Sequence, residues 1–258
     1  MSNLSQPISF RELPVAAGAW SRTLGLDYYG TCRPAGDVGR DFFEFIPLDA
    51  GKLVVSVGDV AGDDVSAALM NSGLRTFLRE FTGSRFAGIA RLVEALNRTT
   101  CEICPEEFWA TLFYAEIDPL RHQLQYVNAG HEPALLVHVE AGRVHRLEST
   151  GAVLGLTSRA GYRQRSVKME PGDVLVVFTD GILEPAEDQE RQLRDTNILD
   201  IMRSYPHSSA HELVARILDA ADRSRQEDDR TVAVVRLLCA VERPLFEAHA
   251  AELAFAAA

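Results

Sequence analysis

Two apolar runs in this sequence end in an acid. Leu53-Val-Val-Ser-Val-Gly-Asp59-Val-Ala-Gly62 carries a carboxylate into a glycine-bracketed turn, and Asp173-Val-Leu-Val-Val-Phe-Thr-Asp180-Gly181 repeats the device. A carboxylate at the edge of a core is costly unless a cation meets it. Asp41 and the pair Asp228-Asp229 also stand at predicted strand edges. Clustered carboxylates repel one another unless they are protonated or bound to cations. Hard oxygen donors with no clustered His or Cys select Mg²⁺ or Mn²⁺ over zinc. Two such ions can hold a hydroxide and neutralise a phosphoryl group. Any one of these acids alone is also a common turn residue. The set of acidic loci, two of them closing apolar strands, is what points to metal-assisted phosphate chemistry.

Composition sets the frame for that chemistry. The chain has 258 residues, enough for one large domain or two small ones. Its formal net charge of -11 opposes bulk binding to nucleic acid or to an anionic membrane. The same charge means that an anionic substrate needs a local positive centre, which bound metal ions would supply. No apolar run approaches the ~18 residues of a membrane span, and Met1–Phe10 lacks an apolar signal core. Four cysteines in a chain of this length make no disulfide framework, so a reducing, cytoplasmic setting is expected.

The elements that must position the acids follow from periodicity. A first strand is expected over 24–31, a charged glycine-rich loop over 33–41, and a strand over 53–58. A helix is expected over 64–81, with Val65, Ala68, Leu69, Ser72 and Thr76 at helical spacing and Asp at its start. A second helix over 87–104 turns Ile89, Leu92, Val93 and Leu96 inward. Short strands then follow at 109–117, 122–128, 134–139, 144–147, 162–169 and 174–178. Strand after strand without intervening helices implies antiparallel sheets. Helices are expected at 195–204 and 209–226, the latter with a stripe of Ala210, Leu213, Val214, Ile217, Leu218 and Ala221, and a last strand at 231–237. The expected fold is α+β, a four-layer α-β-β-α sandwich of two antiparallel sheets. The expected division is a leader over 1–20, one domain over 21–240 and a tail over 241–258.

Other chemistry has less support. His131, in Asn-Ala-Gly-His-Glu-Pro, reads as a turn residue packed under the sheet more readily than as a catalytic acid. Cys101-Glu-Ile-Cys104 has redox spacing but lies late in a helix, with no second pair to complete a zinc site. There is no Gly-x-Ser-x-Gly elbow and no phosphate-cradling P-loop. Arg33 is a candidate phosphate ligand, although an arginine before proline is also a common solvated loop residue.

An ordered set of short motifs resembles a known family. The set is Arg33-Pro-Ala-x-x-Val-Gly-x-Asp41-Phe-Phe, Val57-Gly-Asp59-Val-x-Gly62, Ala67-Ala-Leu, Tyr126-Val-Asn-Ala-Gly-His131-x-Pro133, Gly151-x-x-Leu-Gly155, Pro171-Gly-Asp173, Phe178-Thr-Asp180-Gly181-Ile-x-Glu184 and Asp228-Asp229-x-Thr231. In this order, over residues 25–237, it resembles the bacterial metal-dependent Ser/Thr phosphatases (PPM) of the SpoIIE and RsbU type. The resemblance implies two Mn²⁺ or Mg²⁺ ions, bridged by Asp59, with the backbone carbonyl of Val60 on one of them. It implies Asp180 and an acid of the 228–229 pair as further ligands, Asp228 favoured over Asp229, and Asp41 binding directly or through water. It implies attack of metal-bridging water on phosphoserine or phosphothreonine of a protein such as a STAS-type anti-anti-sigma factor. A separate activator protein is a possible further partner.

The sequence departs from that pattern at specific places. Arg40 stands where the family usually has a second glycine, and it either crowds the loop or donates to the phosphate. Asp63-Asp64 replace a usual Lys-Gly, and Pro185–Leu193 lacks the glycines often found there. These departures keep a rival reading open: a pseudophosphatase, the same fold used to bind a partner. A metal nuclease is disfavoured by the net charge and the lack of a basic groove.

Overall fold

The computed structural model describes residues 25–36, 39–62, 64–83, 86–104, 108–182, 195–221 and 228–238. Ten strands and four α-helices are assigned there. They are β1 (Leu26–Arg33), β2 (Asp41–Pro47), β3 (Leu53–Val60), α1 (Asp64–Phe81), α2 (Ile89–Ile103), β4 (Ala110–Asp118), β5 (Gln123–Ala129), β6 (Ala134–His138), β7 (Arg143–Leu147), β8 (Arg165–Lys168), β9 (Val174–Phe178), α3 (Asp195–Ser204), α4 (Ala210–Ala221) and β10 (Arg230–Leu237).

The strands form two five-stranded sheets, one ordered β1-β10-β9-β6-β7 and the other β2-β3-β4-β5-β8. Every strand pairing in both is antiparallel. Three apolar layers hold the sandwich together. Between the sheets lie Val55, Val57, Phe113, Tyr126, Leu175, Val177, Ala233 and Val235. Under α1 and α2 lie Val54, Val60, Leu112, Tyr114, Leu74, Leu78, Val93 and Leu96. Under α3 and α4 lie Val176, Phe178, Val232, Val234, Ile198, Leu213 and Ile217. Alternate residues of β3 and β10 therefore enter different cores. That is why both strands read as unbroken apolar runs and not as apolar-polar alternation. The α-β-β-α layering matches the expectation.

Element by element, the helices over 64–81 and 195–204 and the strand over 174–178 lie where expected. Two expectations are corrected. The residues of α1 that face the core are Ala67, Met70, Leu74 and Leu78, whereas Leu69 is 77% exposed. The helical spacing of 68, 69, 72 and 76 is borne out by the helix, but these residues are not the ones that pack in the core. The strand expected over 162–169 pairs only from Arg165 to Lys168. Ahead of it, Tyr162 leaves the sheet plane to pack among the α1/α2 core residues, and the Arg163 amide bonds the Thr150 carbonyl. The leader, the tail, Asp63 and the segment 185–193 lie outside the described residues.

One polar device fastens α1 to the edge strand β2. Glu44 is buried on β2, and its carboxylate accepts from Arg75 at 2.5 Å and from Arg79 at 2.9 Å. A buried carboxylate with two guanidinium donors is fully compensated.

Candidate active site

Antiparallel pairing gathers the acids at one end of the sandwich. β2 begins at Asp41 and β3 ends near Asp59, and the two are direct partners in the register. In the other sheet, β1 ends at Arg33 opposite Arg230, the first residue of β10. β9 ends at Phe178 opposite Val232, so Thr179-Asp180 and Asp228-Asp229 leave the sheet side by side. Asp41, Asp59, Asp180, Asp228 and Asp229, which are far apart in sequence, thus meet where the two sheets come together.

Local sequence explains how each acid is held. At Gly58 a Cβ would lie 2.6 Å from the Phe42 ring and 2.7 Å from the Thr111 carbonyl, so only glycine lets β3 pass there. Asp59 follows, and its amide bonds the Thr111 hydroxyl at 3.3 Å. Asp41 is buried, and its Oδ2 accepts from the Thr179 hydroxyl at 2.7 Å. The Thr179 oxygen also accepts from the Thr231 amide at 3.0 Å, so one hydroxyl ties β10, β9 and β2 together. Asp180 is exposed and accepts from its own neighbour, the Gly181 amide, at 2.9 Å. The fully buried Arg230 donates Nε to the Gly181 carbonyl at 3.1 Å, fixing that turn from below.

The two acids of the 228–229 pair do different jobs. Asp229 is buried, and both its oxygens are occupied by backbone amides. Oδ1 accepts from Ala35 at 2.7 Å, and Oδ2 accepts from Arg40 at 2.5 Å and Asp41 at 3.2 Å. It shapes the loop that leads into Asp41. Asp228 is half-exposed and accepts from Arg40 Nη2 at 2.7 Å. Arg40 therefore lies against an acid. Arg33 is exposed at the rim.

The electrostatics record the crowding. Burial first, and then the charges of Asp180 and Asp228, push the Asp59 carboxyl up to about 6, with Arg40 opposing. Burial and the Asp59 charge raise Asp41 well above the ordinary carboxylate range, with the Thr179 hydrogen bond opposing. The Asp59 carboxylate accepts no hydrogen bond from the described residues. Among the described residues no three acidic, His or Cys side chains stand close enough to ligate a single ion. Asp41 is bonded to Thr179, Asp228 to Arg40 and Asp180 to its own turn. A hard divalent cation fits this all-oxygen donor set.

Sequence reasoning missed Thr111, Thr179 and the structural role of Asp229. Thr179 had a signal, because a threonine between an apolar strand and an acid is placed to bond across the strand end. Thr111 had none short of knowing the β3–β4 register. His131 is buried, and its Nδ1 lies 2.8 Å from the Thr111 hydroxyl, which accepts from the Asp59 amide. Cys101 and Cys104 are free thiols, half-buried. An apolar cavity of about 350 Å³ opens between α1 and α2, lined by Leu69, Met70, Leu74, Phe77, Ile103 and Phe108. None of the acids lines it.

Comparison with known proteins agrees with the architecture. The family model for stage II sporulation protein E (SpoIIE) matches residues 49–238. The phosphoserine phosphatase RsbU of Bacillus subtilis is 27% identical over 238 residues, covering 87% of this chain and 70% of RsbU. The crystal structure of the RsbU and RsbW domains of Rv1364c from Mycobacterium tuberculosis superposes with a TM-score of 0.70 at 29% identity. It covers 83% of this chain and 60% of that one. The catalytic domain of the serine/threonine phosphatase PstP, in complex with two manganese ions, shares the fold at a TM-score of 0.63 and 15% identity, covering 83% of this chain and 99% of that one. The chain belongs to the SpoIIE family of PP2C-type serine/threonine phosphatases.

Proposed function

We propose that this protein is a Mn²⁺- or Mg²⁺-dependent phosphatase that removes phosphate from serine or threonine of a protein substrate. A STAS-type anti-anti-sigma factor is the substrate class the family resemblance favours. The observation that carries the reading is the convergence of Asp41, Asp59, Asp180 and Asp228 at one end of the sandwich. Two divalent ions would supply the positive charge that a chain of net charge -11 lacks, and they would acidify water there. Asp59, among the other acids and with a carboxylate that accepts no hydrogen bond from the described residues, is suited to bridging two ions. The Val60 carbonyl, Asp180 and Asp228 would complete the ligand set, with Asp41 behind them. Asp228 is the better ligand of its pair, because the oxygens of Asp229 are committed to three backbone amides. Arg33 at the rim, and Arg40 once released from Asp228, would be the donors to phosphate oxygens. The unit proposed to do this is residues 21–240, acting in the cytoplasm, with a separate activator as a possible partner.

The Arg40–Asp228 ion pair favours a second reading, because an internal guanidinium on a ligand position opposes metal loading. On that reading the domain binds a phosphoprotein or partner without turnover. Hydrolysis of an aryl phosphate and of a phosphorylated STAS protein, with and without Mn²⁺, separates the two. Metal-dependent turnover that disappears in Asp59→Asn supports the phosphatase. Absent or metal-independent turnover on both substrates supports the binding module.

A further inference from the structure

His131 lies in the short link that carries the chain from β5 in one sheet to β6 in the other. The link is rigid. The His131 amide bonds Asn128 Oδ1 at 2.8 Å, and Asn128 Nδ2 donates to the Leu147 carbonyl at 3.2 Å. Gly130 takes a φ of +67°, where a Cβ would press on Val153. The imidazole is buried, so it is held neutral, its pKa lowered by desolvation to about 4. A neutral ring offers one acceptor and one donor.

Each ring nitrogen faces a different sheet. Nδ1 lies 2.8 Å from the Thr111 hydroxyl on β4. That hydroxyl already accepts the Asp59 amide, so its own proton goes to Nδ1. The remaining proton sits on Nε2, which is buried without a hydrogen-bond partner among the described residues, and the Phe178 backbone of β9 is the neighbour that acts on the ring from the other sheet. Phe178 is followed by Thr179, the donor to Asp41, and by Asp180. The hydrogen bonds therefore run from the Asp59 amide through Thr111 to His131, whose ring is next to the strand end that presents Asp180.

We infer that His131 is a positioning residue. Its ring is a strut between the two sheets that sets the separation of Asp59 and Asp180, acting through Thr111 and never touching substrate. The inference rests on the reading of Asp59 and Asp180 as metal ligands. Groups that orient metal ligands typically change affinity or activity by about 10–100-fold when removed, and misplacement of the acids by a fraction of an ångström is enough.

The test measures Mn²⁺ binding by calorimetry and p-nitrophenyl phosphate kinetics on the full chain carrying Thr111→Val, Thr111→Ser, His131→Phe and the Thr111→Val/His131→Phe double variant. Thr111→Val should weaken Mn²⁺ binding about tenfold or more and lower kcat, with KM changed by less than about twofold. Thr111→Ser should restore both to within about threefold of wild type. His131→Phe should match Thr111→Val, and the double variant should lose no more than either single one, because the two residues act in one chain. Wild-type affinity in Thr111→Val, equal losses in Thr111→Val and Thr111→Ser, or additive losses in the double variant would overturn the strut while leaving the phosphatase reading intact. If His131→Phe does not fold, the contrast between Thr111→Val and Thr111→Ser decides alone. Failure of the wild-type protein to bind Mn²⁺ would overturn both readings together.

Discussion

Thr179 gives its hydroxyl proton to Asp41 at 2.7 Å, joining the end of a strand in one sheet to the first residue of a strand in the other. The bond is buried, and its donor is held in turn by the Thr231 amide. The acids at this end are therefore part of the frame that keeps the sheets in register.

Replacing Thr179 with valine keeps the volume and removes both bonds. The buried Asp41 carboxyl loses a donor, and the Thr231 amide loses its acceptor. Stability should fall by about 1–3 kcal/mol, read as a lower denaturant midpoint with an unchanged slope. Thr179→Ser should recover most of the loss.

The pH dependence of the metal-free protein should show contributions of opposite sign, His131 on one side and Asp59 with Asp41 on the other. His131 is depressed to about 4 by burial, so its contribution is complete above its ordinary value near 6.5 and is lost as pH falls toward 4. The loss is on the order of 3 kcal/mol. Asp59 is raised to about 6, so it has the opposite sign. Its contribution is complete below the ordinary carboxylate value and is lost as pH rises through 6. Thermal melts in chelator should show stability falling more on acidification in Asp59→Asn than in wild type, because the variant lacks one of the carboxyls that oppose His131. In wild type, the rise in melting temperature on adding Mn²⁺ should be larger near pH 7.5 than near pH 5, because only ionised carboxylates bind the ion.

Arg40→Ala should show whether the ion pair with Asp228 competes with a divalent cation. Both side chains are about one-third exposed, so the loss of stability should stay below about 1 kcal/mol. Mn²⁺ binding should tighten several-fold once the guanidinium is gone. If Arg40 also meets the substrate phosphate, KM for a phosphoprotein should rise in the same variant.

Gly181→Ala tests how closely the 180 and 228 loops must approach. A Cβ at residue 181 would collide with the Asp229 backbone carbonyl, which cannot yield as a flexible side chain would. The variant should fold with reduced stability and lose Mn²⁺ binding, measured by calorimetry, because Asp180 and Asp228 are forced apart.

Much of this was legible in the sequence, for physical reasons. A strand buried on both faces is continuously apolar, and one that ends in an acid stands out; that pointed to Asp59 and Asp180. The stripe of α4 read correctly because each of its apolar residues is buried. The face of α1 did not, because its exposed side carries Leu69 and its inward side carries polar Asn71, which bonds the Arg40 and Asp41 carbonyls. The role of Asp229 could not be read locally. Its donors are backbone amides at Ala35, Arg40 and Asp41, nearly the whole chain away, and an amide leaves no trace in residue identity. The Thr111–His131 contact was hidden for a similar reason, since it depends on strand register and on a link between sheets.

The central claim is that these acids hold divalent ions. Calorimetric titration of Mn²⁺ into the chelator-treated protein and into Asp59→Asn tests it most directly. The account predicts saturable binding of two ions by the wild-type protein and loss of that binding in Asp59→Asn. Binding that is absent in the wild type, or identical in the two proteins, would contradict it.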